Sequence, residues 1–278
     1  METITLTSWE EFETRVADLN RKRSDRLRAQ RERKAELYIS DYLFRGQSNS
    51  SWGLCTTLER YAGKLLTLVE YYRIVCATKP QIETFTGTEW KIPSVSEYEE
   101  ILDKSGLLPL GPIPAYEYFA YLRHHGFPSP LLDWTLSPYV AAYFAFRDVP
   151  APANASASIY AYCEWTAGHK SASSDNPEIH GLGRYVRSHR RHFLQQCEYT
   201  VCSIGRGGSR SYAHHDEAFA GNKEDQDELW KFNIPVSERS KVLERLDQYN
   251  INAYSLFGSD DSLMETLALR EILLRHER

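Results

Sequence analysis

The chain has 278 residues, 42% of them hydrophobic, and a formal net charge of −5. That is enough to bury a sizeable core in one large domain or two small ones, and too acidic for a general electrostatic trap for nucleic acid. Its five cysteines (Cys55, Cys76, Cys163, Cys197, Cys202) are odd in number and form no C-x-x-C pair, which argues against a disulfide framework and for a reducing compartment. No run approaches the roughly 18 apolar residues of a membrane span, and the amino terminus lacks a basic-then-apolar leader, so the expectation is a cytoplasmic protein with no membrane partner.

Residues 4–6 have the pattern of a short strand, and Ser8 with Glu11 three positions on is a capping box that opens a helix. The helix runs into residues 21–34, RKRSDRLRAQRERK, with eight Lys or Arg. This basic segment is either a handle for phosphates or an acidic partner, or a solvated helix face. Residues 38–44 alternate like a strand and end at Arg45, Gly46 and Gln47. An arginine at the mouth of a strand can aim its planar fork at a ligand phosphate or carboxylate, or can be buried in an ion pair with Asp133. Residues 65–76 read as an amphipathic helix. From 78 to 114, Pro and Gly punctuate the chain around one helix at 96–104 capped by Ser96, an excursion over the surface with the character of a lid.

Residues 116–125 form the next helix, which delivers the chain into HHGFPSPLLDWTLSPYVAAYFAF, residues 124–146. Gly126 stops that helix after Arg123, His124 and His125. A short buried strand follows at 131–135, then Ser137 as N-cap and Pro138 as first helical residue. Val140, Ala141, Phe144 and Ala145 give the new helix one buried face. Asp133, Trp134, Thr135 and Ser137 therefore stand where strand gives way to helix, with polar groups confined to the junction. Further on, 159–163 is a strand, 167–183 a loop, and 198–204 a strand fed by a basic segment. GRGGSR, residues 205–210, lacks the Lys-Ser/Thr of a P-loop and reads as a hairpin or mobile loop. Residues 230–234 are a strand, Ser237 caps a helix to 249, 251–257 is strand-like, and 262–276 is a closing helix. The pairs His124 with His125, His189 with His192, and His214 with His215 have no carboxylate or cysteine at a recognised ligand spacing, so no metal is expected.

Three stretches together resemble the FRG domain, named for the tripeptide that is Phe44-Arg45-Gly46 here: YLFRGQSNSSWGL at 42–54, the 124–146 segment, and IPVSERSKVLERLDQYNINAYSLFGSDDSL at 234–263. Arg191, Gln195 and Tyr199 are a fourth landmark. The resemblance divides the chain into an N-terminal strand and basic helical segment (1–37) and an FRG domain (38–278) carrying the 78–114 excursion. Two departures stand out: Ser129-Pro130 replaces the family's Thr-Arg, and Cys197 replaces a glycine.

The family's layout is similar to that of the ADP-ribosyltransferase superfamily, which implies an α+β fold with a split antiparallel sheet flanked by helices. In that superfamily a first strand ends in Arg or His, a later strand carries a Ser/Thr-x-Ser element ahead of a helix, and a third presents a glutamate. Here the matching positions are Arg45, then Thr135 and Ser137, then Glu198 or Gln195. The implied chemistry is cleavage of the nicotinamide–ribose bond of NAD, where a carboxylate stabilises the developing positive charge. On this reading Glu198, Arg45 and Gln195 are catalytic, and Arg45, Gln47, His125, Asp133, Trp134, Thr135, Ser137 and Tyr143 hold NAD. With Gln195 alone in place of a glutamate, the site would hold a nucleotide without cleaving it. Asp133 has a second reading as an architectural group that receives backbone amides and Arg45. The resemblance thus implies a nucleotide-handling toxin or phage-defence effector with a protein or nucleic-acid acceptor. A non-catalytic module for a nucleotide or modified macromolecule, and a nuclease, are the alternatives.

Overall fold

Capped amphipathic helices and short apolar strands assemble into one eight-stranded sheet with helices packed on it. The computed structural model describes residues 1–34, 38–105, 113–148, 155–167, 170, 176–184, 186–187, 190–206, 209–220 and 226–275. The expected boundary at 37, the end of the 78–114 excursion at 106–112, His189 and the 207–208 tip of GRGGSR lie outside the described residues.

β1 (Glu2–Thr5) is followed by Ser8, whose hydroxyl accepts the Glu11 amide and opens α1 (Trp9–Glu32). Trp9, Phe12, Val16 and Leu19 bury one face of its first half. In its basic half, Lys22 and Arg26 both pair with Glu228, and Arg23 lies 2.8 Å from Asp41. Much of that charge is therefore spent on the protein's own acids. β2 (Leu43–Gln47) starts later than the sequence pattern placed it, so Arg45 sits inside the strand rather than at its mouth. α2 (Thr57–Ala62) and α3 (Leu68–Thr86) follow, α3 running through Pro80. α4 (Val95–Ser105) is capped by Ser94, which exchanges hydrogen bonds with Glu97, rather than by Ser96. It docks on α3 through Tyr98 stacked on Tyr72 at 3.9 Å.

α5 (Tyr116–His124), β3 (Leu132–Thr135) and α6 (Pro138–Phe146) fall where the spacing predicts, with Gly126 at φ +84° and the Ser137 hydroxyl accepting the Val140 amide at 3.2 Å. β4 (Ser156–Trp165) is longer than expected, and β5 (Glu178–Gly181) lies within the segment read as a loop. Next come α7 (Arg190–Leu194), β6 (Cys197–Arg206) and β7 (Ser209–Tyr212), the last two forming the hairpin at GRGGSR. α8 (His215–Ala220), β8 (Gln226–Pro235) and α9 (Arg239–Gln248) follow; Ser237 lies in a 3-10 turn ahead of α9 and does not cap it. The strand-like 251–257 segment is a helix instead, α10 (Ala253–Phe257), because Asn252 and Ser255 form a reciprocal capping box that outweighs the local apolar pattern. α11 (Asp260–Ala268), capped by Ser259, ends in a π-helical turn over Leu269–Leu273.

The strand order is β1-β8-β4-β2-β3-β6-β5, with β7 on β6. All pairs are antiparallel except β1 on β8. At the middle, β2 and β3 share the single register pair Phe44↔Thr135, whereas β2 and β4 share five. The sheet is therefore continuous rather than split as expected, with its weakest pairing between β2 and β3. One core packs α1, α6, α9 and α10 on β2, β4 and β8; a second packs α3, α4 and α5 against β6. A third, built on Trp134, Tyr160 and Tyr162 with Phe219 of α8, lies on the opposite face. The Phe-Arg-Gly tripeptide follows from this packing. Phe44 enters the first core, and α6 lies so close to β2 that a Cβ on Gly46 would stand 1.8 Å from the Ala141 carbonyl oxygen.

Candidate functional site

Where β2 and β3 part, a cleft of about 830 Å³ opens between the first two cores. Its walls come from β2 and the loop after it, the end of α5, β3, α6, α7 and α10. Four guanidinium groups (Arg45, Arg60, Arg123, Arg191) and two carboxylates (Asp133, Asp148) line it, with Gln47, Ser48, Ser51, Thr135 and Gln195 as neutral polar groups. The volume lies within the range of roughly 300–1,000 Å³ usual for small-molecule sites.

Arg45 organises the junction. Its Nη1 donates to the main-chain carbonyl of Asp133 at 2.8 Å and stands 4.0 Å from that residue's carboxylate, which also binds Arg123. The Arg45 side chain is 15% exposed. Burial lowers its pKa to about 10, the Asp133 carboxylate opposing and Arg123 and Arg60 adding to the depression, so it remains a cation at neutral pH. Among the described residues, Nε of Arg45, Nε of Arg123 and Oε1 of Gln47 are buried without a hydrogen-bond partner. Buried polar groups are almost always paired, so these three atoms stand out beside the cleft.

Arg45 is thus half of the expected ion pair with Asp133 and also part of the cleft wall. Gln47, Asp133, Thr135 and Gln195 join it there. The Thr135 hydroxyl donates to the Gln195 carbonyl at 2.7 Å and accepts the Ser137 amide at 3.1 Å, and the Gln195 amide donates to the Leu256 carbonyl at 3.2 Å. These polar groups hold β3, α7 and α10 together around the opening. Ser137 itself is a helix cap and is not part of the lining.

Glu198, Tyr143 and His125 lie elsewhere. Glu198 faces away: strand alternation puts Cys197 and Tyr199 on the cleft side and Glu198 on the other, in a cavity of about 350 Å³ with Tyr38, Asp41, Glu164 and Arg184. Burial raises its carboxyl to about 7, Arg184 opposing and Glu164 and Asp41 adding to the rise. Trp134 borders the cleft, but its indole packs in the third core and donates from Nε1 to Thr200 at 2.8 Å, so the ring is not presented for stacking. Tyr143 is buried under α11 and bonds Glu265 at 2.9 Å. His125 is exposed and packs on Tyr121 at 4.3 Å; its neighbour His124 lines the cleft.

Arg60, Arg123, Trp52 and Phe257 are cleft residues that the sequence pattern did not assign to the site, and His124, weighed there as a metal ligand, joins them. Arg123 was legible only as a favourable charge at a helix end. The fold also brings His124, His192 and Cys197 together, with their ligand-type atoms within 4.8 Å of one another. Linear spacing could not reveal this set, because α5, α7 and β6 each supply one member. The Tyr199 hydroxyl lies 2.6 Å from His124 Nε2, and His192 Nε2 lies 2.9 Å from the Arg184 carbonyl. Burial, with Asp133 adding, pushes the Cys197 thiol up to about 12.

The α+β sheet thus opens beside Arg45, the arginine of the Phe-Arg-Gly strand. Residues 40–154 match the family model of the FRG domain. No curated protein and no solved structure matches the chain. No helix among the described residues is long and apolar enough to cross a membrane.

Proposed function

We propose that the FRG domain of this protein is a nucleotide-binding module whose cleft receives the ligand's phosphates. The observation that carries this reading is the set of four arginines on one cleft against two carboxylates, with Arg45 Nε, Arg123 Nε and Gln47 Oε1 buried and unpaired. Planar guanidinium forks match phosphate oxygens two at a time, and a partly desolvated site strengthens each such bond. Asp133, held between Arg45 and Arg123, keeps both forks in place before the anion arrives. The volume suits a mononucleotide or a dinucleotide such as NAD.

ADP-ribosyl transfer is less well supported by the geometry. It needs a carboxylate beside the sugar carbon; Glu198 stands on the other face of β6, and of the two carboxylates in the cleft Asp133 is held by Arg45 and Arg123. The test is thermal melting of the full chain with ADP, ATP and NAD, since a ligand that prefers the native state raises the melting temperature. The expected result is stabilisation that Arg45→Ala abolishes, with no nicotinamide released from NAD. No stabilisation by any nucleotide refutes the binding reading; steady nicotinamide release replaces it with an enzymatic one.

A further inference from the structure

Of the exposed large apolar side chains among the described residues, Trp52 is the one that lines the cleft. It is 54% exposed. A single exposed aromatic is ordinary on a protein surface, so its surroundings must supply the argument. The loop that carries it is fixed at nearly every residue. The Ser50 amide donates to the Ser156 carbonyl at 2.8 Å, the Ser51 amide to the Asn49 side chain at 2.8 Å, and the Trp52 amide to the Asn49 carbonyl at 3.2 Å. The Trp52 carbonyl accepts from the Tyr160 hydroxyl at 2.9 Å and from Lys231 at 3.4 Å. Gly53 presses on Asp216 so closely that a Cβ there would lie 2.4 Å from a carboxylate oxygen, and its carbonyl accepts the Gln47 amide at 3.1 Å.

The indole itself is left open. Among the described residues no aromatic ring packs on Trp52, whereas Phe257, the aromatic contributed by α10, is covered by Arg147 at 4.7 Å and Arg191 at 5.4 Å. A large π-face is thus presented on a pre-set backbone beside a wall of cations. A flat ring joined to phosphates would gain from both surfaces at once, and little ordering entropy remains to be lost on the protein side.

We propose that Trp52 is the base-stacking wall of the cleft and that the ligand is a purine nucleotide. This rests on the nucleotide reading of the cleft and adds the identity of the base and its partner side chain. Purines present a larger stacking face than pyrimidines, so the platform discriminates between them while the arginines treat their phosphates alike. Phosphates alone should be indifferent to the indole.

The experiment is calorimetric titration of the full chain, wild type, Trp52→Ala and Trp52→Phe, with ADP, CDP and inorganic pyrophosphate, after circular dichroism has verified each fold. ADP should bind more tightly than CDP, Trp52→Ala should weaken ADP about ten-fold and leave pyrophosphate unchanged, and Trp52→Phe should retain most of the ADP affinity. ADP and pyrophosphate binding equally well, with Trp52→Ala without effect, overturns the stacking proposal and leaves the phosphate site standing. A protein that binds none of the three removes the nucleotide reading and this proposal with it.

Discussion

Arg45 donates to the main-chain carbonyl of Asp133 at the place where β2 and β3 have stopped pairing, so a side chain stands in for a missing rung of the sheet. The same guanidinium stands 4.0 Å from the Asp133 carboxylate, which also holds Arg123. Asp133→Ala leaves two cations facing each other without their common counter-charge. A loss of about 2 kcal/mol is expected by urea unfolding, between the worth of an exposed pair and the cost of breaking a fully buried one. Added pyrophosphate should recover part of that loss if the two forks are the anion site. An Asp133→Ala protein as stable as wild type would mean that the aspartate is not what holds them.

Gly46 has no room for a side chain. A Cβ would meet the Ala141 carbonyl at 1.8 Å and the Ala145 amide nitrogen at 2.7 Å, both backbone atoms of α6 that cannot rotate away. Gly46→Ala must push α6 off β2, at an expected cost of about 3 kcal/mol or more, because overpacking against main chain cannot be relieved by a rotamer change. Chemical denaturation of the variant checks this; an unchanged midpoint would contradict the close approach of helix and strand.

Glu198 gives a pH signature with a defined sign. Its folded pKa of about 7 lies above the ordinary 4.5, so between those values the folded state holds a proton that the unfolded state has released. Its contribution therefore becomes unfavourable as pH rises through this window and is fully unfavourable above it. Glu198→Gln should stabilise the protein by about 2 kcal/mol near pH 8 and hardly at all near pH 4, allowing for partial solvation. Nucleotide affinity should not change, since the residue faces a different cavity. A variant that loses nucleotide binding would place Glu198 functionally in the cleft after all.

Ser137 separates capping from ligand binding. Its hydroxyl accepts the Val140 amide at 3.2 Å, and Ser137→Ala should cost about 1 kcal/mol, the usual worth of an N-cap. Calorimetry on the same variant should find ADP affinity unaltered. A binding defect without a stability defect would reverse that assignment.

What could be read from the chain alone was local. The α5-β3-α6 segment was legible because its signals act within a few residues: Gly126 at the helix stop, Ser137 and Pro138 at the next start, and a helical period of apolar residues between 140 and 145. The stretches that resemble the FRG domain were likewise readable, and with the fourth landmark they led to Arg45, Gln47, Asp133, Trp134, Thr135 and Gln195, which the cleft does gather. The 251–257 segment misled because its apolar content suggested a strand while Asn252 and Ser255 dictated a cap.

The facing of each residue was decided only by the tertiary structure. Side chains alternate across a strand, so one step in register sends Cys197 to the cleft and Glu198 to the opposite side of the sheet. The opening of β2 from β3, the gathering of Arg45, Arg60, Arg123 and Arg191 from separate elements, and the placement of the Trp52 indole on the wall all depend on contacts between residues distant in the chain. Local propensity cannot encode these. They arise when helices and strands pack to bury their apolar faces, and the polar groups left at the one weakly paired junction become the site.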